Sequence, residues 1–498
     1  MRFLIGLLVV TLLILGSSLA QPKIGTPQLR GLWVDAFGAG FKNQKEVDEL
    51  VLYAKNLKLN ALFVQVGRRM DCFCNRASVP RSSDPKLAKN FDPLEAIIKK
   101  AKPLGIQVHA WIITTAAFNA SEPSFSSNHV MATHGRSSTD PWMTLNTTGS
   151  SRAGKDEILD VAHPAAAEYI AQFYISVLEN YDIDGIQFDR VRYPDSADPQ
   201  YRPVWGYNPT SLNRFRLETG RTDTPIPLDS QWVDWRREQL THLVRRIYLE
   251  AKVRKPKLWV SAATITYRTA PRSIEEFKLT RTYSEVLQDW VAWTSEGILD
   301  LNIPMNYKRE YDALQAKEFD GWNKFATQTK ENAVVATGAG IFVNSLADSK
   351  KQYTRAINTQ GISGWIGYSY RTPDLDVLNT KKTESNGKKD FQKAFSSLFS
   401  SAVRWEQANS DGLSGILGRV LRNGTPVSNA ELEIRKTDGS SILLQTDANG
   451  FYGHPRLPEG KLSIGVLERS TNSVAISSSM DIIVTRGIVQ RLPDIQIP

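Results

Sequence analysis

From Leu29 onward, short apolar runs alternate with segments whose apolar residues recur every three to four positions, and polar punctuation stands at nearly every joint. Apolar runs of four to eight residues predict strands, and the longer 3.6-residue pattern predicts helices. On this basis strands are expected at Leu29–Phe37, Ala61–Val66, Ile106–Ile112, Gly185–Asp189, Leu258–Ile265, Leu299–Tyr307, Ala333–Phe342 and Ser363–Tyr370. The first helix is announced by Asn43 and Glu46, spaced as a capping box, ahead of the stripe Val47, Leu50, Val51, Ala54 and Leu57. Asp92-Pro93-Leu94-Glu95 opens the second with a cap, a proline at the first helical position and the box glutamate together. Pro164 starts a third that runs to about Asn180. Later helices are expected near Asp234–Val253, Tyr283–Thr294, Asp312–Thr327, Asp348–Thr359 and Asp390–Val403.

Eight strands, each followed by a helix, predict the α/β class and a (β/α)8 TIM-type barrel over residues 29–405. The rival is a doubly wound open sheet, whose commonest version places Gly-x-Gly-x-x-Gly after the first strand; no such turn occurs there. Two long connections, Thr114 to about His163 and Pro194 to about Trp232, have no regular pattern. On a barrel both would rise over the C-terminal face and could roof a groove.

The pattern changes after residues 406–412, a polar linker. Residues 413–498 show short β-branched runs separated by Gly, Asn, Asp and Pro turns, which predicts a small all-β sandwich with a core of its own. At the other end, Met1-Arg2, the apolar run Phe3–Leu15 and Gly16-Ser17-Ser18-Leu19-Ala20 have the three regions of a secretory signal. Residues 1–20 are therefore expected to be a signal peptide cleaved after Ala20, with 21–28 a short linker. An uncleaved membrane anchor is the alternative. Export into the periplasm, the cell envelope or the medium follows, with no integral membrane partner implied.

Composition adds little to this, but charge and cysteine usage narrow it. The 498-residue chain carries a net charge of +9, while Gly412–Pro498 holds nine Lys/Arg against eight Asp/Glu, so the excess belongs to the barrel. A basic barrel suits an anionic polymer, yet no Lys/Arg run interleaved with aromatics occurs, and nucleic acid is not implied as a partner. The two cysteines, Cys72 and Cys74, lack further ligands at metal spacing, so no metal or other cofactor is expected. In an oxidising compartment a bridge between them is favoured over two free thiols.

Candidate chemistry collects at the predicted C-terminal strand ends, the face where barrels place their active sites. Asp189 ends strand four, where Gly185, Ile186 and Phe188 give way to charge. It is the leading catalytic candidate, and a salt bridge to Arg190 or Arg192 is the competing explanation. Asp71, Asp35 and Asp160, in that order, are candidates for the second carboxylate. Gln65, Arg68, His109, Trp111, Arg192, Tyr193, Asn306, Tyr307, Tyr368 and Tyr370 are candidates for substrate contact. A sugar offers an apolar face for stacking and hydroxyls for bidentate hydrogen bonds, so carboxylates among aromatics, amides and guanidinium groups point to glycosidic-bond cleavage. The aromatics could instead be packing, His109 a satisfied structural histidine, and Asp35 a loop cap.

Arg30-Gly31-Leu32-Trp33, Phe63-Val64-Gln65-Val66 with Asp71, Phe91-Asp92-Pro93-Leu94, His109-Ala110-Trp111 and Tyr181-Asp182-Ile183-Asp184-Gly185-Ile186-Gln187-Phe188-Asp189 with Tyr193-Pro194 together resemble the glycosyl-hydrolase-like family 10 barrels, a group that includes bacterial cell-wall glycan hydrolases. Asp234-Trp235-Arg236-Arg237 and Leu299-Asp300 with Pro304 and Tyr307 continue the resemblance. Many relatives carry a second carboxylate after the aspartate of strand four, where this chain has Arg190; the strand-six motif reads Pro304-Met305-Asn306-Tyr307 here. Thr446-Asp447-Ala448-Asn449-Gly450-Phe451-Tyr452 and Leu457-Pro458-Glu459-Gly460 resemble the carboxypeptidase-regulatory-like, transthyretin-type sandwich, which implies a spacer or adhesion module. The resemblance implies an exported glycoside hydrolase acting on an envelope or environmental polysaccharide such as a peptidoglycan glycan strand. A non-catalytic carbohydrate-binding or envelope-scaffold barrel is the alternative, since one fold hosts many functions.

Overall fold

The computed structural model describes residues 28–122, 125–196, 202–399, 401–469 and 474–498. The signal peptide expected at residues 1–20 lies outside them. Eight parallel strands close into a barrel: β1 (Leu29–Val34), β2 (Ala61–Gly67), β3 (Gln107–Ile113), β4 (Gly185–Asp189), β5 (Trp259–Ile265), β6 (Leu301–Asn306), β7 (Val334–Gly340) and β8 (Ile362–Tyr368). They pair in sequence order, and β8 closes on β1 through the register Leu29↔Gly364 to Trp33↔Tyr368. The open-sheet alternative is thereby excluded.

Local chemistry explains much of the helical ring. Asn43 Oδ1 accepts the Glu46 N–H at 3.0 Å, satisfying a donor that a helix start leaves orphaned, while Glu46 Oε2 accepts the N–H groups of Gly40 and Lys42 in the preceding loop. The glutamate thus ties the incoming loop to the helix Gln44–Asn56. Asp92 likewise caps Pro93–Ala101. Four expectations are corrected. The helix expected at Tyr283–Thr294 is split into Arg281–Ser284 and Trp290–Glu296, with Leu287 between them at φ 58°, a left-handed conformation that ends a helix. The helix expected from Asp234 begins at Ser230, capped by Asp229, and runs to Arg254. The last barrel helix is Glu384–Phe395 instead of Asp390–Val403, because Thr383 supplies its cap. The two long connections are structured: the first contains a small antiparallel sheet of Ala116–Asn119, Asp156–Ile158 and Arg152–Ala153, and the second a helix, Pro209–Thr219. Fully buried Arg236 pins the second connection by donating to the carbonyls of Pro203 and Trp205.

The C-terminal segment forms two sheets, one around Gly415–Arg422 and the other of Ser441–Gln445, Glu431–Arg435, Gly460–Arg469 and Val474–Val484 in that order. Leu432, Ile434, Ile464 and Tyr452 are buried between them. Beside this core of its own, the sandwich packs on the barrel. Leu413, Leu417 and Val489 are buried in one cluster with Leu243, Ile247 and Leu249 of the helix Ser230–Arg254, and the Arg246 guanidinium lies 3.0 Å from the Phe451 ring centroid. The linker is equally committed. Trp405 stacks on Trp259 at 5.5 Å, and the Glu406 carbonyl accepts from Trp259 Nε1 at 2.8 Å, so residues 405–406 close the N-terminal end of the barrel.

Candidate active site

At the C-terminal face the barrel opens into a cavity of about 1030 Å³. Its wall receives Trp33 from β1, Gln65 from β2, Trp111 from β3, Met305 from β6 and Tyr368 from β8, with Tyr307 just beyond β6. Tyr307 and Tyr368 stack with centroids 5.6 Å apart, and the edges of Trp33 and Trp111 meet Tyr368 at 6.2 Å each. Tyr307 and Tyr368, only partly buried, give the cavity apolar surface of the kind that stacks on a pyranose, and the nearly buried Trp33 and Trp111 pack behind them.

Asp189 ends β4 beside this platform. One carboxylate oxygen accepts Trp111 Nε1 at 3.0 Å; the other accepts the Arg190 N–H at 2.6 Å. Arg190 itself takes a left-handed φ of 50°, so the chain turns sharply straight after the strand end. The arginines that competed for Asp189 bond other carboxylates: Arg190 pairs with Asp156 at 2.9 Å and Arg192 with Asp195 at 3.0 Å. Asp189 thus faces the cavity 7% exposed, held by two N–H donors. Burial pushes its carboxyl above the ordinary carboxylate range, against the opposing pull of the Arg190 and Arg192 charges and the Trp111 N–H.

Among the candidates from sequence, Asp189, Gln65, Arg68, Trp111, Arg192, Tyr307 and Tyr368 line this one cavity. Gln65 Oε1 accepts the Ala36 N–H, while its Nε2, buried, has no protein partner. The others lie elsewhere. Asp71 accepts the Arg69 N–H in an adjoining cavity of about 320 Å³ that shares Arg68 and Arg69. Asp35 is fully engaged, accepting from Ser369 Oγ at 2.8 Å, Arg371 Nε at 3.0 Å and the Phe37 N–H at 3.1 Å. Asp160 is buried outside the cavity, accepts the Ala162 N–H, and is pushed up in pKa by its burial. Tyr193 is buried outside it as well, with its ring 6.0 Å from the Arg236 guanidinium. Asn306 points outward to the Phe319 carbonyl and Asn323. Tyr370 packs edge-on against Tyr53.

His109 is one layer too deep. It stacks on Phe63 at 4.4 Å between centroids and pairs in register with Gly185, the first residue of β4; burial lowers its pKa to about 3, so it is neutral. Gly185 is required there, since a Cβ would fall 2.1 Å from His109 Nδ1.

Several lining residues escaped the sequence reading. Trp33 belongs to the strand-one motif but is not among the contact candidates. Arg268 comes from the loop after β5, a strand end that holds none of the candidates. Lys308 follows Tyr307 directly, and Glu318 reaches the cavity from the helix Ala313–Gln328, which no strand-end rule could have indicated. Asn119 and Asp156 come from the first long connection; the second, beyond Arg192, contributes no lining residue among those described. Asp156 is occupied by Arg190 and by Asn119 Nδ2, leaving Asp189 and Glu318 as the cavity carboxylates outside an arginine pair. Among the described residues no three His, Cys, Asp or Glu side chains assemble as a metal-binding group, and no helix is long and apolar enough to cross a membrane.

Known proteins resemble this chain. A protein of Bacillus subtilis named glycosyl hydrolase YngK is 24% identical over 328 residues, which span 61% of this chain and 59% of the relative. Glycosyl hydrolase DigH of Escherichia coli is 22% identical over 276 residues, 54% of this chain and again 59% of the relative. The chain therefore matches little more than half the length of these relatives. The catalytic domain of β-amylase from Paenibacillus polymyxa, at 13% identity, superposes with a TM-score of 0.49 over 74% of this chain and 98% of that domain. Residues 28–355 match the glycosyl hydrolase-like 10 family, a stretch that spans β1 to β7, the Asp189 strand end and Trp33, Trp111 and Tyr307 of the aromatic wall, and the chain belongs to that family.

Proposed function

We propose that the protein is an exported glycoside hydrolase that cleaves O-glycosidic bonds of an envelope or environmental polysaccharide, with peptidoglycan glycan strands as the leading substrate and Asp189 as the main catalytic carboxylate. The observation that carries this reading is the state of Asp189: a buried strand-end carboxylate held by two N–H donors in an aromatic-walled cavity, while both neighbouring arginines bond other acids. The relatives named glycosyl hydrolases support the same chemistry.

The geometry suits an oxocarbenium-like transition state. Desolvation makes the Asp189 charge costly in the empty site, and a cation developing at the anomeric carbon relieves that cost, so the attraction is larger in the transition state than in the ground state. Trp111 and Arg190 fix the carboxylate plane without neutralising it. The Tyr307–Tyr368 pair, backed by Trp33 and Trp111, offers apolar surface on which the sugar ring can be aligned. Of the two cavity carboxylates outside an arginine pair, Glu318 is the one left to exchange a proton with the glycosidic oxygen, ahead of Asp71, Asp35 and Asp160, which lie outside the cavity. Export is supported by the amino-terminal charge and hydrophobicity pattern and by the Cys72–Cys74 disulfide, a bond that persists in oxidising compartments.

The test is incubation with purified peptidoglycan and a panel of polysaccharides, followed by mass spectrometry of the products. New reducing ends that disappear in Asp189→Asn support the reading; binding without new reducing ends favours a carbohydrate-binding barrel instead.

A further inference from the structure

The cavity is strongly cationic, and one of its cations is placed differently from the rest. Arg68, Arg69, Arg190, Arg192, Arg268 and Lys308 line it, against Asp156, Asp189 and Glu318. Arg190 and Arg192 have their own carboxylates, and Arg68 and Arg69 share Glu122 at 3.1 and 2.9 Å. Lys308 is only 8% exposed, yet its Nζ donates to neutral oxygens, the Thr266 carbonyl at 2.6 Å and the Thr266 hydroxyl at 3.5 Å. Glu318 is the carboxylate that acts on it through space. Burying an ammonium group without a bonded counter-charge is costly, and burial brings its pKa down to about 8, which still leaves it mostly protonated at neutral pH. Such a site gains most from a ligand that brings the missing negative charge.

Resting on the reading of this cavity as a glycan site, we propose that the sugar seated against the β5–β6 wall bears a carboxylate and that Lys308 is the residue that selects it. Arg268, from the same wall, adds to the field, while Met305 and Tyr307 beside Lys308 provide the apolar floor for the ring. The carboxylate can be the C6 acid of a uronic acid or an ether-linked acid on an amino sugar; both present the same two oxygens to an ammonium group.

Each source is tested against its own neutral counterpart. Peptide-free peptidoglycan strands and a polyuronate are each compared with the same polymer after carbodiimide-mediated reduction of its carboxyls to alcohols. The expected result is that wild type prefers the acidic form of one pair by about tenfold or more in kcat/KM, the size of one charge-assisted bond to a partly desolvated ammonium. Lys308→Met should bring that ratio close to one, and Lys308→Arg should keep most of it. Which pair shows the preference identifies the source. Equal cleavage of acidic and reduced forms by wild type overturns the proposal, and so does a Lys308→Met variant that melts normally and keeps the wild-type ratio. If wild type cleaves none of these polymers, the glycosidase reading fails, and binding of acidic and reduced oligosaccharides, followed by tryptophan fluorescence from Trp33 and Trp111, decides this inference alone. Tighter acidic binding that is lost in Lys308→Met sustains it; equal binding ends it.

Discussion

Asp189→Asn separates the catalytic reading of Asp189 from a structural one. The substitution keeps the volume and one acceptor oxygen while removing the charge. In the wild type the two oxygens accept from Trp111 Nε1 and from the Arg190 amide; an asparagine can serve only one of these donors, and leaving the other unmade in a buried site costs about 1–3 kcal/mol. Relief of the buried charge opposes that loss, so the net change in stability should be small. Its sign should depend on pH. Burial raises the Asp189 pKa in the folded state, so the stability contributed by this group is fully present below the unfolded value and is lost as pH rises through the folded one. The variant lacks this loss, and its melting temperature relative to wild type should therefore climb as pH rises across that window. Activity should behave quite differently. A carboxylate about 4 Å from a developing unit charge, at an effective dielectric of about 20, stabilises it by about 4 kcal/mol, which corresponds to about a thousandfold in rate. The assay pairs turnover of a soluble oligosaccharide substrate with thermal melts by circular dichroism at several pH values. Turnover within tenfold of wild type, together with a lower melting temperature at every pH, would refute the reasoning and make Asp189 a structural residue.

Trp111→Phe removes the Nε1–H that holds the Asp189 pKa down, so the acidic limb of the kcat/KM profile should move to higher pH; an unmoved limb would mean that this bond does not tune the carboxyl. Gly185→Ala places a methyl group 2.1 Å from His109 Nδ1 in a fully buried layer, and should cost about 1–3 kcal/mol or more in urea unfolding; a neutral effect would show that β3 and β4 can separate there freely. Truncation after Ser410 strips Leu413, Leu417 and Val489 from the helix Ser230–Arg254 and should lower the melting temperature of the barrel, since each buried aliphatic side chain is worth about 1.5–3 kcal/mol. Calorimetry of the full chain should then show one transition, and two well-separated ones would make the sandwich an independent unit.

The amino-acid sequence by itself determined the barrel and the strand that ends in Asp189, because both rest on local signals. Side-chain periodicity and helix caps such as Asn43 and Asp92 act within a few residues, and a buried strand must end where charge begins. The same local logic marked Trp111, Tyr307 and Tyr368. What it could not decide was height and facing. His109 and Trp111 share one face of β3, but the two-residue rise between them sets one in a packed lower layer against Gly185 and the other at the cavity. Asn306 and Tyr307 are adjacent in sequence, yet the pleat turns Asn306 out toward Asn323 while Tyr307 faces in. Asp35 and Asp160 lie near the right strands and are consumed by bonds that only folding creates. Lys308 and Glu318 become cavity residues through the loop after β6 and the helix that follows, and the sandwich joins the barrel through apolar side chains whose partners lie more than 150 positions away in the chain. Contacts between residues distant in sequence arise from closure of the barrel and packing of its helices, so only the tertiary structure decided them.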